Sequence, residues 1–249
     1  MPIVTLPPFV QSALLLDLDG TLLDIAPAPN LVVVPPELPS TLGSLRSQLG
    51  GALAVITGRP VEQIDLLLGD APYAVAGEHG GAIRYAPNGD IERPELPTPP
   101  QEWLVAAEKL ALGHPGALLE HKARGFVLHY RAAPDCGPAL HEGLLKLLDD
   151  DTAFTILAAH MAWEVRPRGT DKGRAVAALM ARAPFAGRVP VFLGDDVTDN
   201  DAVAMACSIG GVGFQVAESF GNPADVRAWL HAAAAAGDWP ILPRAGSDG

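Results

Sequence analysis

Short apolar runs alternate along most of the chain with segments in which apolar residues recur at helical spacing. The runs at 14–16, 52–56 and 189–193 are apolar without interruption, which is typical of strands buried on both faces of a parallel sheet. Strands that alternate with helices predict an α/β fold with a doubly wound, mostly parallel sheet and right-handed crossovers. The pattern predicts further strands at 73–76 and 208–212, a hairpin across 82–91, and helices at 40–49 (with Ser40 as its N-cap), 61–68, 172–182, 201–207 and 224–235.

The middle of the chain has a different order of elements. Prolines at 94, 97, 99 and 100 form a stiff segment that predicts a domain boundary. Beyond it, a helix followed by two strands occurs twice, which predicts a smaller α+β cap domain at 98–166, inserted into a main domain formed by 1–97 and 167–249. The predicted helices are 103–112 and 138–148, and the predicted strands are 117–122, 126–131, 154–158 and 161–166, with turns at Gly125 and His160.

Composition and charge narrow the class of protein. Apolar residues make up 49% of the 249 residues, as in globular proteins. The formal charge of −12 repels nucleic acids and anionic membrane surfaces, so neither is an expected partner. Two distant cysteines, no signal peptide and no apolar run of membrane-spanning length predict a cytoplasmic protein. The oligomeric state stays open, and a monomer is compatible with everything above.

The first apolar run ends in two aspartates, Asp17 and Asp19, followed by Gly20. Open α/β sheets bind their ligands at the carboxyl ends of strands, and a glycine allows a sharp turn that lets both carboxylates project into one crevice. Such a pair indicates a Mg²⁺ site, a nucleophile with an acid/base partner, or both. The alternative is two loop aspartates that cap a helix.

Three further positions follow other predicted strands or begin helices. Thr57 follows the strand at 52–56, Lys172 begins a helix after the insertion, and the acidic segment 195–201 follows the strand at 189–193. A hydroxyl at a helix start and a lysine suit a phosphate group, and carboxylates from two strands suit Mg²⁺. Taken singly, Thr57 could be a helix cap, Lys172 a surface charge and 195–201 a solvated loop. Their common order along the chain favours phosphoryl transfer.

These segments resemble the four motifs of the haloacid-dehalogenase-like phosphatases, and the insertion is similar to the larger cap type of that superfamily. Within it, the chain most resembles the trehalose-6-phosphate phosphatase family, over about 13–206. The four motifs are Asp17-Leu18-Asp19-Gly20-Thr21, Ile56-Thr57-Gly58-Arg59, Lys172, and Gly194-Asp195-Asp196-Val197-Thr198-Asp199. The narrower resemblance lies in Gly77-Glu78-His79-Gly80, Glu120-His121-Lys122, Leu128-His129-Tyr130-Arg131 and Glu164-Val165-Arg166-Pro167.

The resemblance implies catalytic and metal-binding roles for the acidic residues. Asp17 would attack phosphorus and form an aspartyl-phosphate. Asp19 would protonate the departing sugar oxygen and later take a proton from water. Mg²⁺ would be held by Asp17, the backbone carbonyl of Asp19 and Asp195, with Asp199 as a further ligand or an orienting group.

The resemblance also implies how the substrate is held. Thr57, Gly58 and Lys172 would bind the phosphate group. Asp196 receives no role.

In the predicted cap domain, Glu120 and Lys122 stand two apart on one strand and therefore share a face. Glu164 lies on another predicted strand, and Arg131 offers a fork of donors. The pattern by itself favours salt bridges across a solvated sheet. The resemblance implies instead that these four residues bind the hydroxyl groups of a disaccharide.

The implied activity is a Mg²⁺-dependent phosphatase that acts on trehalose 6-phosphate. Two alternatives stay open: the same chemistry on another sugar phosphate, such as sucrose phosphate or a glycosyl-phosphoglycerate, and a sugar-phosphate sensor without catalysis. The presence of both Asp17 and Asp19 argues against the sensor.

Overall fold

A computed structural model of the chain describes residues 5–26, 31–122, 124–149, 151–159 and 161–243. The chain divides into two compact units: unit 1 comprises Met1–Pro94 with Asp171–Gly249, and unit 2 comprises Glu95–Thr170. The predicted turn at His160 falls outside the described residues. Each unit has its own sheet and its own apolar core.

Unit 1 is built on a seven-stranded sheet in the order β11-β10-β1-β2-β3-β4-β5. The strands from β11 to β3 run parallel, while β4 and β5 are antiparallel additions at one edge. This confirms the predicted mostly parallel sheet and the hairpin. The strands are β1 Ser12–Leu16, β2 Leu53–Ile56, β3 Ala74–Gly77, β4 Ala82–Arg84, β5 Ile91–Glu92, β10 Val189–Gly194 and β11 Val212–Gln215.

Helices cover both faces of this sheet. On β1, Leu14 and Leu16 contribute to the core shared with α1, α2 and α8, whereas Leu15 contributes to the core shared with α5 and α6. A strand that buries every side chain must be continuously apolar, which is why β1 could be recognised in the sequence. Among the described residues, no helix combines the length and the apolar character needed to cross a bilayer. The helices are α1 Leu38–Gln48, α2 Val61–Leu68, α5 Lys172–Met180, α6 Asn200–Ser208, α7 Val216–Ser219 and α8 Pro223–Ala236.

Two predicted boundaries in unit 1 are wrong. Ser40 is not an N-cap: α1 begins at Leu38, and the Ser40 hydroxyl donates to the carbonyl of Glu37 at 2.8 Å. The strand predicted at 208–212 begins only at Val212, because Gly210 has a φ of 85° and forms a turn after α6.

Unit 2 is a four-stranded antiparallel sheet in the order β6-β7-β9-β8. Its helices pack their apolar side chains against Phe126, Leu128 and Val165, which lie on one face of the sheet. The predicted order of a helix followed by two strands, repeated once, is confirmed. The elements are α3 Gln101–Leu112, β6 Leu118–Lys122, β7 Gly125–His129, α4 Gly137–Leu148, β8 Phe154–Ala159 and β9 Ala162–Pro167.

Candidate active site

Three neighbouring parallel strands of unit 1 end beside one another. β1 lies between β2 and β10, and its last residue, Leu16, is paired with Val55 and Leu193. Asp17, Thr57 and Asp195 directly follow these three strands, so the topology brings them to the same edge of the sheet.

The centre of this edge is a buried ion cluster around Lys172. Its Nζ lies 2.6 Å from Oδ1 of Asp17 and 2.6 Å from Oδ1 of Asp199. All three residues are buried. Lys172 is the first residue of α5, whose N-cap Asp171 accepts a hydrogen bond from the backbone N–H of Arg174. The interpretation of Lys172 as a surface charge is therefore wrong.

Asp195 completes the cluster. Ligand oxygens of Asp17, Asp195 and Asp199 lie within 4.8 Å of one another. The hydroxyl of Thr21 donates to Oδ2 of Asp17 at 3.2 Å and lies 3.5 Å from Oδ1 of Asp195. Gly20 has a φ of 82°, and a Cβ at this position would overlap the carboxylate of Asp195. A glycine is thus required here for both its backbone conformation and its lack of a side chain.

The charges of this cluster do not balance. Burial lowers the pKa of Lys172, but the carboxylates of Asp17 and Asp199 outweigh it and raise that pKa overall. Burial and the neighbouring carboxylates raise the pKa of Asp195 to about 8 and that of Asp199 to about 6. Three carboxylates facing one ammonium group leave an excess of negative charge, and oxygen ligands of this kind fit a hard divalent cation.

Asp199 differs from the other two carboxylates in its hydrogen bonds. Its Oδ2 accepts from the backbone N–H groups of both Asp195 and Asp196, each at 3.1 Å. With Oδ1 bound to Lys172, both oxygens have partners, which favours an orienting role for Asp199. Asp196 is exposed and caps the short 3-10 helix Val197–Asp199. The interpretation of this segment as a solvated loop therefore holds for Asp196 and fails for Asp199.

Asp19 takes a partner of its own. Its carboxylate forms a two-pronged ion pair with Arg59, with Nε–Oδ2 and Nη2–Oδ1 distances of 2.6 and 2.7 Å. The side chain of Asp19 is 35% exposed, against 5% for Asp17. The carboxylates of Asp17 and Asp19 therefore lie in different environments and do not form one cluster.

Thr57 is buried and does not cap a helix. The N-cap of α2 is Pro60, and Oγ1 of Thr57 accepts instead from the backbone N–H of Arg59 at 3.2 Å. The next residue, Gly58, leaves space for an imidazole, because a Cβ there would lie 2.6 Å from Nε2 of His79.

In unit 2, the face of the sheet opposite the helices is polar. Glu120, Val127 and Glu164 lie in one row across β6, β7 and β9, and Nζ of Lys122 lies 2.5 Å from Oε1 of Glu120. The structure therefore brings Glu120, Lys122 and Glu164 onto one face. Burial raises the pKa of Glu164, whereas the pKa of Glu120 is lowered to about 2, chiefly by a hydrogen bond from His129.

Arg131 lies outside this sheet. The strand predicted at 126–131 ends at His129, and Arg131 follows in an exposed turn. Strand pairing therefore does not bring Arg131 onto the face that carries the other three residues.

Sequence reasoning assigned no role to three residues with structural contacts at these sites: Thr21, Arg59 and His129. Thr21 and Arg59 stand inside the first two motifs, so their position in the motif was the available signal. His129 lies nine residues from Glu120 on the paired strand, at an Nε2–Oε2 distance of 2.8 Å. Only the register of β6 against β7 reveals that pair.

Comparisons with known proteins agree with this arrangement. The family model of the trehalose-phosphatases matches residues 15–219. The chain is 39% identical to the trehalose-6-phosphate phosphatase of Escherichia coli strain K12 over 201 residues, which is 80% of this chain and 75% of that protein.

Solved structures share the fold. The C-terminal domain of C. albicans trehalose-6-phosphate phosphatase has a TM-score of 0.73 at 21% identity, covering 91% of this chain and 93% of that one. A haloacid dehalogenase-like hydrolase from Bacteroides thetaiotaomicron has a TM-score of 0.56 at 15% identity, covering 77% and 84% of the two chains.

The doubly wound sheet has the fold of a haloacid dehalogenase-like hydrolase, and it carries an acidic cluster where β1 and β10 end, as the motifs of the haloacid-dehalogenase-like phosphatases predicted. Such phosphatases are hydrolases of phosphoric monoesters and generally use a divalent metal. Within that superfamily, the chain belongs to the trehalose-phosphatase family.

Proposed function

We propose that this protein hydrolyses trehalose 6-phosphate to trehalose and inorganic phosphate, with Mg²⁺ as its cofactor. The observation that carries the proposal is the buried cluster of Asp17, Lys172, Asp195 and Asp199 in a member of the trehalose-phosphatase family. Two relatives, 39% and 38% identical over 201 and 206 residues, are named as a trehalose-6-phosphate phosphatase and a probable trehalose-phosphate phosphatase.

The proposed chemistry uses the two aspartates of the first motif in different roles. An oxygen of Asp17 attacks phosphorus and forms an aspartyl-phosphate as the bond from phosphorus to the sugar oxygen breaks. Asp19 gives its proton to that oxygen. Water then attacks phosphorus, the bond to Asp17 breaks, and Asp19 recovers a proton from the water. The different surroundings of the two carboxylates support this division, since Asp17 is buried and Asp19 is partly exposed.

The remaining residues of the edge hold the reacting groups. Lys172, with the hydroxyl of Thr57 and the backbone at Gly58, binds the phosphoryl oxygens. Asp17, the backbone carbonyl of Asp19 and Asp195 hold Mg²⁺, and Asp199 orients Asp195 and Lys172. When bound, the cation neutralises charge that develops on the phosphoryl group.

Unit 2, which comprises Glu95–Thr170, serves as the cap that reads the sugar; the sequence predicted this cap at 98–166. The polar face with Glu120, Lys122 and Glu164 offers both acceptors and a cationic donor for sugar hydroxyls. Arg131 adds donors from the adjoining turn. A sheet face of this composition favours the binding of a ligand with many hydroxyl groups.

Phosphate release from trehalose 6-phosphate, measured with and without Mg²⁺, tests the proposal. We expect turnover that requires Mg²⁺ and is abolished by Asp17→Asn. A panel with sucrose phosphate and a glycosyl-phosphoglycerate tests the sugar. Faster turnover of another sugar phosphate would overturn the proposed substrate but not the proposed phosphatase chemistry. Binding of these compounds without turnover of any of them would indicate a sensor.

A further inference from the structure

A groove lies between the start of α1 and the N-terminal half of α8, on the surface of unit 1, and the chemistry described above makes no use of it. It encloses about 350 Å³. Its α8 side is formed by residues at helical spacing, so that one stripe of that helix faces the groove. Ala224 and Ala228 on this stripe leave the space open, and Arg227, His231, Thr41 and Glu37 supply polar groups.

The polar groups of the groove are of two kinds. Arg227 and His231 are one turn apart on α8, and Nδ1 of His231 lies 3.4 Å from the hydroxyl of Thr41. Among the described residues, two groups accept hydrogen bonds from the guanidinium of Arg227, which has five N–H donors: the carbonyl of Leu22 and the carboxylate of Asp24. The groove thus offers a guanidinium and an imidazole on α8 and the carboxylate of Glu37, the N-cap of α1.

We propose that this groove binds a hexose phosphate at a site separate from the acidic cluster. The phosphate group would lie on Arg227 and His231, since a guanidinium forms strong paired hydrogen bonds with phosphate oxygens. Glu37 and Thr41 would bind hydroxyl groups of the sugar. Leu38, Ala224 and Ala228 provide apolar surface for the C–H face of the ring, and the volume lies in the range of small-molecule sites.

Arg227 connects the groove to the loop that carries Asp17 and Asp19. Its Nη1 donates to the carbonyl of Leu22 at 3.1 Å. That loop is closed by hydrogen bonds from the N–H groups of Leu22 and Leu23 to the carbonyl of Leu18, each at 2.8 Å. A phosphate that draws on the same guanidinium changes the contacts of this loop, so occupancy of the groove regulates the enzyme. This regulatory part depends on the proposed phosphatase function, while the binding itself does not.

Binding is tested in an Asp17→Asn background, which removes turnover, by titrating glucose 6-phosphate and following heat and tryptophan fluorescence. We expect two saturable sites, one of which disappears in Ala228→Leu, a change that fills the groove and leaves Arg227 in place. Lys146→Ala, which removes an exposed cation of unit 2, is the control and should keep both sites. If Ala228→Leu fails to fold, the double variant Thr41→Ala with His231→Ala replaces it.

Glucose and inorganic phosphate, titrated separately, define the ligand. Weak binding of each component beside saturable binding of glucose 6-phosphate supports the proposal. A single site that Ala228→Leu leaves unchanged would overturn it, and inorganic phosphate binding as tightly as the sugar phosphate would overturn the sugar part.

Regulation is tested in the active enzyme by adding glucose 6-phosphate to hydrolysis of trehalose 6-phosphate. A change in kcat of about fivefold, near the low end of usual coupling between sites, should be lost in Ala228→Leu. An equal change in kcat in both proteins would overturn the regulatory part, because the effect would then not depend on the groove.

Discussion

Nζ of Lys172 lies 2.6 Å from Oδ1 of Asp17, and both side chains are almost wholly buried. The two residues are 155 positions apart in the chain, so this contact exists only when the two segments of unit 1 have come together. It holds the proposed nucleophile in place. Among the described residues, Lys172 also provides the only ammonium group in contact with the carboxylates of the cluster.

Lys172→Met should destabilise the metal-free protein by about 3–5 kcal/mol, because it leaves buried carboxylates without their cation. Urea unfolding in the presence of a chelator measures this loss in the free energy of unfolding. The same variant should also lose phosphate release. Lys146→Met is the control: its partner Glu142 is exposed, so the free energy of unfolding should stay unchanged. Equal stability of the two variants would contradict a central electrostatic role for Lys172.

The acidic cluster should make metal-free stability fall as pH rises. The folded-state pKa values of Asp195 and Asp199, about 8 and about 6, lie above the ordinary value of 3.8. The folded protein therefore holds protons that the unfolded chain has released, and the stability that they contribute is present below pH 3.8 and is lost as pH rises towards 8. The pKa of Glu120, lowered to about 2, places its titration below this window.

Urea midpoints at pH 5.5 and pH 8 in a chelator check this slope. Asp195→Asn should flatten it, and so should added Mg²⁺, which favours the ionised carboxylates. An identical slope in Asp195→Asn and in the unsubstituted protein would show that other groups cause the pH dependence.

Gly20→Ala should abolish Mg²⁺-dependent phosphate release, because the added Cβ overlaps the Asp195 carboxylate and the φ of 82° is unfavourable for alanine. Gly43→Ala, inside α1, is the matched control, since a Cβ there has no atom within 4 Å. That change should keep activity and raise stability by up to about 1 kcal/mol. Titration of activity with Mg²⁺ compares the two, and normal Mg²⁺ activation in Gly20→Ala would refute the crowding argument.

Glu120→Gln, Lys122→Ala and Glu164→Gln should lower kcat/KM for trehalose 6-phosphate by about 10- to 100-fold, the usual effect of losing a hydrogen bond to a charged group. Hydrolysis of p-nitrophenyl phosphate, which has no sugar, should change little. Glu142→Gln on the exposed side of α4 should affect neither substrate. A parallel loss with both substrates would show that the polar face supports the structure of unit 2 and does not read the sugar.

The sequence was informative where a pattern directly reflects burial. The strands β1, β2 and β10 contain the uninterrupted apolar runs 14–16, 53–56 and 189–193 because both faces of the sheet are covered, and α2 was predicted with the bounds Val61–Leu68 that the structure has. Because these strands run parallel, the polar residues that follow them had to gather at one edge. That inference needed no distances.

The sequence did not predict which side chains form pairs. The spacing of Asp17 and Asp19 does not reveal that one carboxylate meets Lys172 and the other meets Arg59, since this depends on rotamers and on the turn at Gly20. The burial of Lys172 depends on how α5 and α6 pack after the chain has passed through unit 2. Lysines at helix starts are usually exposed, so periodicity gave no sign of it.

Unit 1 is interrupted by unit 2, and this has a consequence for how the protein is made. Asp17 is synthesised 155 residues before Lys172, and Asp199 follows later still. Until β10 has been made, the edge of β1 that pairs with it is unpaired. A nascent chain therefore carries the proposed nucleophile before Lys172 and Asp199 exist, and the cluster can form only after both have been made.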